Sequence, residues 1–308
     1  MPRPDRRARR ARSWVLHAGV AAGAALSVAV DRRVRRSVPG ETPLAVGVVA
    51  AGWYAVIAAL ERRHPYRTGW NDPRDDDTTA DLAFMATTFG TALVSEPLGR
   101  AAARRTGFDL RLRRLPTPVA VVASVALYDL THTLHHRLAH EWGPAWRVHS
   151  VHHSPERLYW LNATRFHALE ALWDGVIESF LLGVLGLSRD QQIGHLAVRA
   201  LYGQLQHCNI DLESGPLDRV FSTPDLHRWH HSVVYEEGDN NFGAITSVWD
   251  QLLGSFLRPP APFDGRTGVG RMPDFPTGYL DLQRVPADWA GIRERNAATW
   301  FGREPADA

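Results

Sequence analysis

Thirteen of the 15 histidines in this 308-residue chain fall between His132 and His231, and any fold must place them. A buried ring nitrogen without a partner costs about 1–3 kcal/mol, and crowded imidazolium ions repel one another. A shared cation resolves both problems. His132, His135, His136 and His140 lie in DLTHTLHHRLAH; His149, His152 and His153 in HSVHHS; His227, His230 and His231 in TPDLHRWHHS; His167 and His207 stand between them. Helical residues four apart share a face, and positions i, i+3 and i+4 span an arc of about 100°. Each His-x-x-His-His triplet is therefore expected to direct three imidazoles at one point. Neutral imidazole binds iron, zinc and copper. Two triplets plus the His136/His140 pair exceed what one tetrahedral zinc can use, which suits two ions of five or six coordination. Iron fits best where oxygen is activated; spacing alone leaves zinc open.

Composition excludes several classes. The formal net charge of +2, with all 35 basic residues Arg, argues against a general nucleic-acid coat. The single Cys208 excludes an intramolecular disulfide framework and Cys-based metal sites; it reads as a small buried filler. No dinucleotide fingerprint, P-loop or Gly-x-Ser-x-Gly elbow is present. His140-Glu141-Trp142-Gly143-Pro144 begins like a zincin motif but ends in Pro.

Hydrophobicity is segregated along the chain. Arg3, Arg6, Arg7, Arg9, Arg10 and Arg12 precede an 18-residue run, Ser13 to Val30, in which His17 is the one ionisable side chain; Arg32, Arg33, Arg35 and Arg36 follow. Further apolar runs are Leu44–Leu60, Leu82–Leu98 (with Glu96), Pro118–Leu134 (with Asp129 and His132) and Ala171–Leu187 (with Asp174 and Glu178). A bilayer core of roughly 30 Å takes about 20 apolar residues as a helix, and these runs sit at the short end of that range. The first is expected to be a retained helix rather than a cleaved signal. Arg clusters on both its sides leave the orientation open. The expected organisation is an Arg-rich tail and membrane helices over 1–116, a histidine-bearing unit over 117–256 and an irregular tail over 257–308 with one short helix near Pro286–Trp300.

The order His136-Arg137-x-x-His140, His149-x-x-His152-His153-Ser154, Asn162…Arg165-x-His167…Glu170, His207-x-Asn209-Ile210, Thr223-Pro224-x-x-His227-Arg228-x-His230-His231-Ser232, Asn241-x-Gly243 and Trp249-Asp250…Gly254-x-Phe256 resembles the fatty acid hydroxylase/sterol desaturase superfamily of membrane di-iron enzymes. The resemblance runs from Asp129 to Phe256. It implies an all-α integral membrane bundle whose cytosolic helical cap carries the histidine boxes. It implies that His136, His140, His149, His152, His153, His207, His227, His230 and His231 bind two iron ions. His167 sits in a motif whose histidine only some branches have. Thr133-Leu134 stands where the family often has Tyr-Trp, Ala168 where it has Pro, and Phe242 where it has Tyr; these departures bear on substrate more than on metal.

Asp129, Asn162 and Glu170 are candidates to support the ligand imidazoles. His132 and His135 read as supporting or surface residues, and His17, His64 and His195 as structural. Arg137 and Arg228 would hold a carboxylate or phosphate, or a surface salt bridge. Trp142, Trp146, Trp160, Trp173, Trp229 and Trp249 read as interfacial belt and core. The implied activity is O2-dependent hydroxylation or desaturation of a lipid (fatty acyl, sterol or related), with electrons from a separate ferredoxin- or cytochrome b5-like partner and no nucleic acid. The implied location is a bacterial inner membrane with the metals on the cytoplasmic side. The alternatives are a dinuclear zinc hydrolase, which lacks a carboxylate base inside a box, and a non-catalytic metal-binding membrane protein.

Overall fold

The computed structural model describes residues 5–35, 44–74 and 76–298; Arg3, Arg36 and Trp300 lie outside them. The helices are α1 (Arg6–Val34), α2 (Leu44–Arg63), α3 (Asp77–Thr106), α4 (Thr117–Glu141), α5 (Gly143–His153), α6 (Ala168–Leu185), α7 (Arg189–His207), α8 (Pro224–His230), α9 (Tyr235–Gly238), α10 (Val248–Leu253), α11 (Tyr279–Arg284) and α12 (Trp289–Arg295). Among the described residues there is no strand, only the isolated bridges Pro65–Ile210, Phe221–Thr246 and Ser232–Thr267.

Local chemistry sets the helix ends. The Asp5 carboxylate accepts from Arg7 N at 3.0 Å and starts α1. Ser188 and Gln191 form a capping box at the start of α7. Gly107 and Gly186, at φ 71° and 61°, end α3 and α6 in the left-handed region.

Two helices, α1 and α2, are long and apolar enough to cross a bilayer. The other three apolar runs form α3, α4 and α6 but fall short of that measure. Acidic residues interrupt α3 and α6, and Asp129 and four histidines interrupt α4. Apolar side chains still face outward along the bundle, among them Val15, Val48, Leu93 and Val122. The Arg clusters bracketing α1 are tied down by acids. Arg6, Arg9 and Arg10 pair with Glu213, while Arg32 and Arg35 pair with Asp190. Arg189 in turn reaches Asp31 at 3.0 Å. Positive charge at both ends is thus partly neutralised within the fold.

Helices α3 and α6 lie unusually close because small residues line the seam. A Cβ on Gly99 would meet the backbone oxygen of Val176 at 2.5 Å, and one on Gly175 would meet Ser95 Oγ at 2.3 Å. This is the small-residue contact that lets helix backbones approach. It sets α6, and so Glu170 at its start, against the histidine-bearing helices.

The carboxy-terminal segment departs from the expectation of one short helix near 286–300. It forms two, α11 and α12, and Leu282, Val285, Trp289 and Ile292 pack into a core with Phe84, Trp146 and Val151. Those four residues recur at helical spacing, which the surrounding Pro, Gly and Arg residues mask.

Gly99→Val should destabilise the protein by about 1–3 kcal/mol, because backbone rather than a movable side chain blocks the new methyl groups. Gly52→Ala, inside α2 with open space around it, should instead hold stability or raise it by about 0.5–1 kcal/mol. Thermal unfolding of both variants in detergent checks the contrast.

Candidate metal centre

The structure gathers nine histidines into two adjoining groups. His136, His140, His149, His153 and His230 form one; His152, His207, His227 and His231 form the other. All nine are buried. Within each group the candidate ligand atoms lie within 4.8 Å of one another. The stacked rings of His153 and His231, 4.5 Å apart, form the seam between them.

The triplets do not each converge on one point, as their spacing suggested. On α5, His149 and His153 enter the group of five while His152 enters the group of four; on α8 and just beyond, His227 and His231 enter the four while His230 enters the five. The physical reason is angular. Positions i and i+4 are about 40° apart around a helix, but i+3 lies about 60° to the other side of i. A triplet between two centres therefore gives its i, i+4 pair to one and its i+3 residue to the other.

Which nitrogen faces inward follows from acceptors on the far side of each ring. His136 Nδ1 donates to Phe242 O at 2.8 Å, and His230 Nδ1 to Asn240 O at 2.8 Å. His149 Nδ1 donates to Glu170 Oε1 at 2.5 Å, His140 Nδ1 to Asp239 Oδ1 at 3.0 Å, and His207 Nδ1 to Asn162 Oδ1 at 3.1 Å. Carbonyl and carboxylate oxygens only accept, so these rings carry their proton on Nδ1 and present a bare Nε2.

These inward nitrogens lie close to one another and to those of His153 and His227. Nε2–Nε2 separations are 3.0 Å for His136–His149, 3.1 Å for His140–His153, 3.1 Å for His149–His153 and 2.8 Å for His207–His227. His136 and His149 have both spent their ring proton on Nδ1, so nothing bridges their two lone pairs. Further protonation is disfavoured. Burial holds His152, His153, His227 and His231 well below the ordinary histidine range, with neighbouring imidazoles adding to it, and pushes His207 and His230 down to about 3. A cation between the nitrogens satisfies the arrangement. Ligands at right angles around an ion, each about 2.1 Å away, are about 3.0 Å apart, whereas tetrahedral ligands would be about 3.4 Å apart. The donor set therefore fits two ions of five- or six-coordinate type.

A second layer positions these groups. Asn162, on the 3₁₀ turn Trp160–Thr164, also donates from Nδ2 to Arg157 O at 2.7 Å. Asp250 accepts from Phe242 N at 2.8 Å and Gly243 N at 3.0 Å, which aims the Phe242 carbonyl at His136. Asp129 touches no ligand imidazole. It accepts from the backbone nitrogens of Ala244, Ile245 and Thr246 at 2.8–3.0 Å. Seven residues before His136 is two turns, about 10 Å, along α4, where the 242–246 loop passes.

His167 stands apart from both groups. Its Nδ1 accepts from Leu169 N at 3.1 Å and its Nε2 donates to Gln283 O at 2.9 Å, so both ring nitrogens are used in joining the start of α6 to the tail. Arg228 is buried, donating to Cys208 O and Ile210 O and lying over the Tyr66 ring; Arg137 makes a surface pair with Glu141. Cys208 is a buried free thiol. Trp146 is core, packed 5.1 Å from His140, while Trp142 and Trp173 are exposed. His132 and His135 meet Asp174 in a separate cluster.

Two participants escaped the sequence reading. Asp239 follows the short α9 and reaches back 99 residues to His140, and no local pattern marks it. Phe166 stacks on His152 with ring planes 3° apart; its position before His167 drew notice only to the histidine.

The family profile described as fatty acid hydroxylase matches residues 121–255. The chain is similar to an ornithine lipid hydroxylase (OlsE) of Rhizobium tropici, 35% identical over 263 residues, covering 80% of this chain and 77% of that one. It is also similar to alkylglycerol monooxygenases: that of Caenorhabditis elegans, 28% identical over 152 residues, and that of Homo sapiens, 30% identical over 150 residues. Those matches cover 47% and 48% of this chain but 29% and 33% of the relatives, so it spans a third or less of their length. No solved structure matches.

Asn162→Leu should release His207 from its fixed orientation and weaken metal binding in the group of four by about 10–100-fold. Metal analysis of the purified protein should then find one ion per chain where the parent holds two.

Proposed function

The chain belongs to the fatty acid hydroxylase family, and on that premise we propose that it inserts one oxygen atom from O2 into a C–H bond of an amino-acid-containing acyl lipid. It is a di-iron, oxygen-dependent lipid oxidoreductase. Hydroxylation rather than desaturation is the reading its relatives' names favour, and the ornithine lipid hydroxylase, matched over most of its length, favours that lipid class. The observation that carries the proposal is the set of Nε2 atoms facing one another at 2.8–3.1 Å in two adjoining buried groups, with His136 and His149 meeting lone pair to lone pair.

His136, His140, His149, His153 and His230 would hold one iron, and His152, His207, His227 and His231 the other. His167 would hold neither. We take 117–256 as the unit that carries the chemistry. When bound, the irons supply oxygen activation and an oxidant strong enough to break an unactivated C–H bond. One oxygen atom ends in the product hydroxyl and the other in water, with two electrons and two protons drawn from outside.

The residues of the chain do the positioning. Glu170, Asp239, Asn162 and the carbonyls of Phe242 and Asn240 hold the ring protons on Nδ1 and keep each Nε2 directed inward. Trp146 and Phe166 cover the rings of His140 and His152 and help exclude water. The lipid would arrive laterally along the apolar outer faces of the bundle. The chain would sit in a bacterial inner membrane with the metals on the cytoplasmic side, served by a ferredoxin- or cytochrome b5-like donor. The zinc-hydrolase alternative finds no support among the relatives, which are a hydroxylase and monooxygenases by name.

Lipid profiling of cells with and without the gene under 18O2 tests the reading. A gain of one labelled oxygen in an amino-acid-containing lipid is expected. Loss of two hydrogens without label would replace hydroxylation by desaturation. His152→Ala or His230→Ala should abolish the product and lower the iron content; unchanged iron and product in both would remove those residues from the ligand set.

A further inference from the structure

A third cluster lies beside the nine histidines without belonging to either group. His132 and His135 on α4 and Asp174 on α6 bring two ring nitrogens and a carboxylate oxygen within 4.8 Å of one another. The ring of His132 is 5.1 Å from that of His136 and 4.9 Å from that of His135. Helix α6 thus offers Glu170 to His149 and, one turn later, Asp174 to His135.

An ion pair between His135 and Asp174 is the simplest account of the contact, but it leaves His132 Nδ1 and the poor direction of the contact unexplained. His135 Nδ1 donates to Thr131 O at 2.7 Å, which leaves Nε2 facing Asp174 Oδ1 at 3.0 Å. Yet neither Nε2 nor Oδ1 has a hydrogen-bond partner, and neither does His132 Nδ1, although all three atoms are buried. At 3.0 Å a proton aimed at the oxygen would bond; the separation is right and the direction is wrong. A separation of 3.0 Å is also that of neighbouring ligands at right angles on one ion.

Charge balance points the same way. Asp174 and Glu178 are both carboxylates on α6, and the one arginine packed among them is spent. Arg199 holds Glu178 Oε2 at 2.6 Å and donates from Nε to Tyr128 OH at 2.9 Å. Asp174 is left as a mostly buried acid whose counter-charge comes from the imidazoles facing it or from a cation held between them, since a buried charge needs a partner.

We propose that His132, His135 and Asp174 form a third metal site, which takes a single divalent first-row transition ion and is separate from the nine-histidine pair. Two imidazoles and one carboxylate with open positions are a donor set typical of ferrous iron and its neighbours. The Thr131 carbonyl holds the His135 tautomer as such a site requires. The cluster is less enclosed than the nine histidines, since the side chains of His135 and Asp174 keep 20% and 13% of their exposure. An ion there should exchange more readily than those in the buried pair.

The test uses the full-length protein in detergent, loaded with two irons per chain and no more, titrated with Mn2+ and followed by the resonance of the free ion. One Mn2+ should bind per chain in addition to the iron, with magnetic coupling to two imidazole nitrogens. Asp174→Asn should weaken Mn2+ uptake by about tenfold or more, and His135→Gln should leave coupling to one nitrogen, both with iron content unchanged. No Mn2+ uptake by the parent protein overturns the proposal, whatever the variants do. So does uptake that both variants leave unaltered.

Discussion

An imidazole that has given its one ring proton to an acceptor behind it offers only a lone pair in front. Five of the nine clustered histidines are in that state, held there by Phe242 O, Asn240 O, Glu170, Asp239 and Asn162. Their lone pairs converge in buried space where neither water nor a further proton relieves them. Much of the surrounding architecture serves this arrangement by delivering acceptors to the backs of rings.

The delivery is layered. Asp129 and Asp250 collect the backbone nitrogens of the 242–246 loop and so fix a carbonyl on His136. Arg165 pairs with Asp81 at 2.6 Å, and Arg157 with Asp77, which ties the segment carrying Asn162 and Phe166 to the start of α3. Close packing of α3 on α6 then sets Glu170 behind His149. Buried ion pairs of this kind add little net stability, but losing one partner is costly. Their service here is to hold a loop and a helix end in register with the clustered histidines.

The nine box histidines, their helical spacing and the all-helical class were legible in the chain because spacing and composition are local. Asn162 and Glu170 were legible as supports through the pattern around them. Asp239 was not, since nothing local distinguishes it from any acid in a turn. His167 stood only as a possible ligand, and both its nitrogens bond to backbone, one of them on a tail that composition marked as irregular. Asp129 shares a face with His136, but a shared face two turns away leads to a different neighbour.

The sequence by itself determined that many imidazoles would be neutral, buried and adjacent, because that follows from residue type and the repeat of a helix. Only the tertiary structure decided which ion each imidazole would serve and which nitrogen would face it. Those choices depend on acceptors up to 106 residues away in the chain, and on where the fold sets each triplet relative to the other histidines. No local rule encodes either, since both are properties of how distant segments meet.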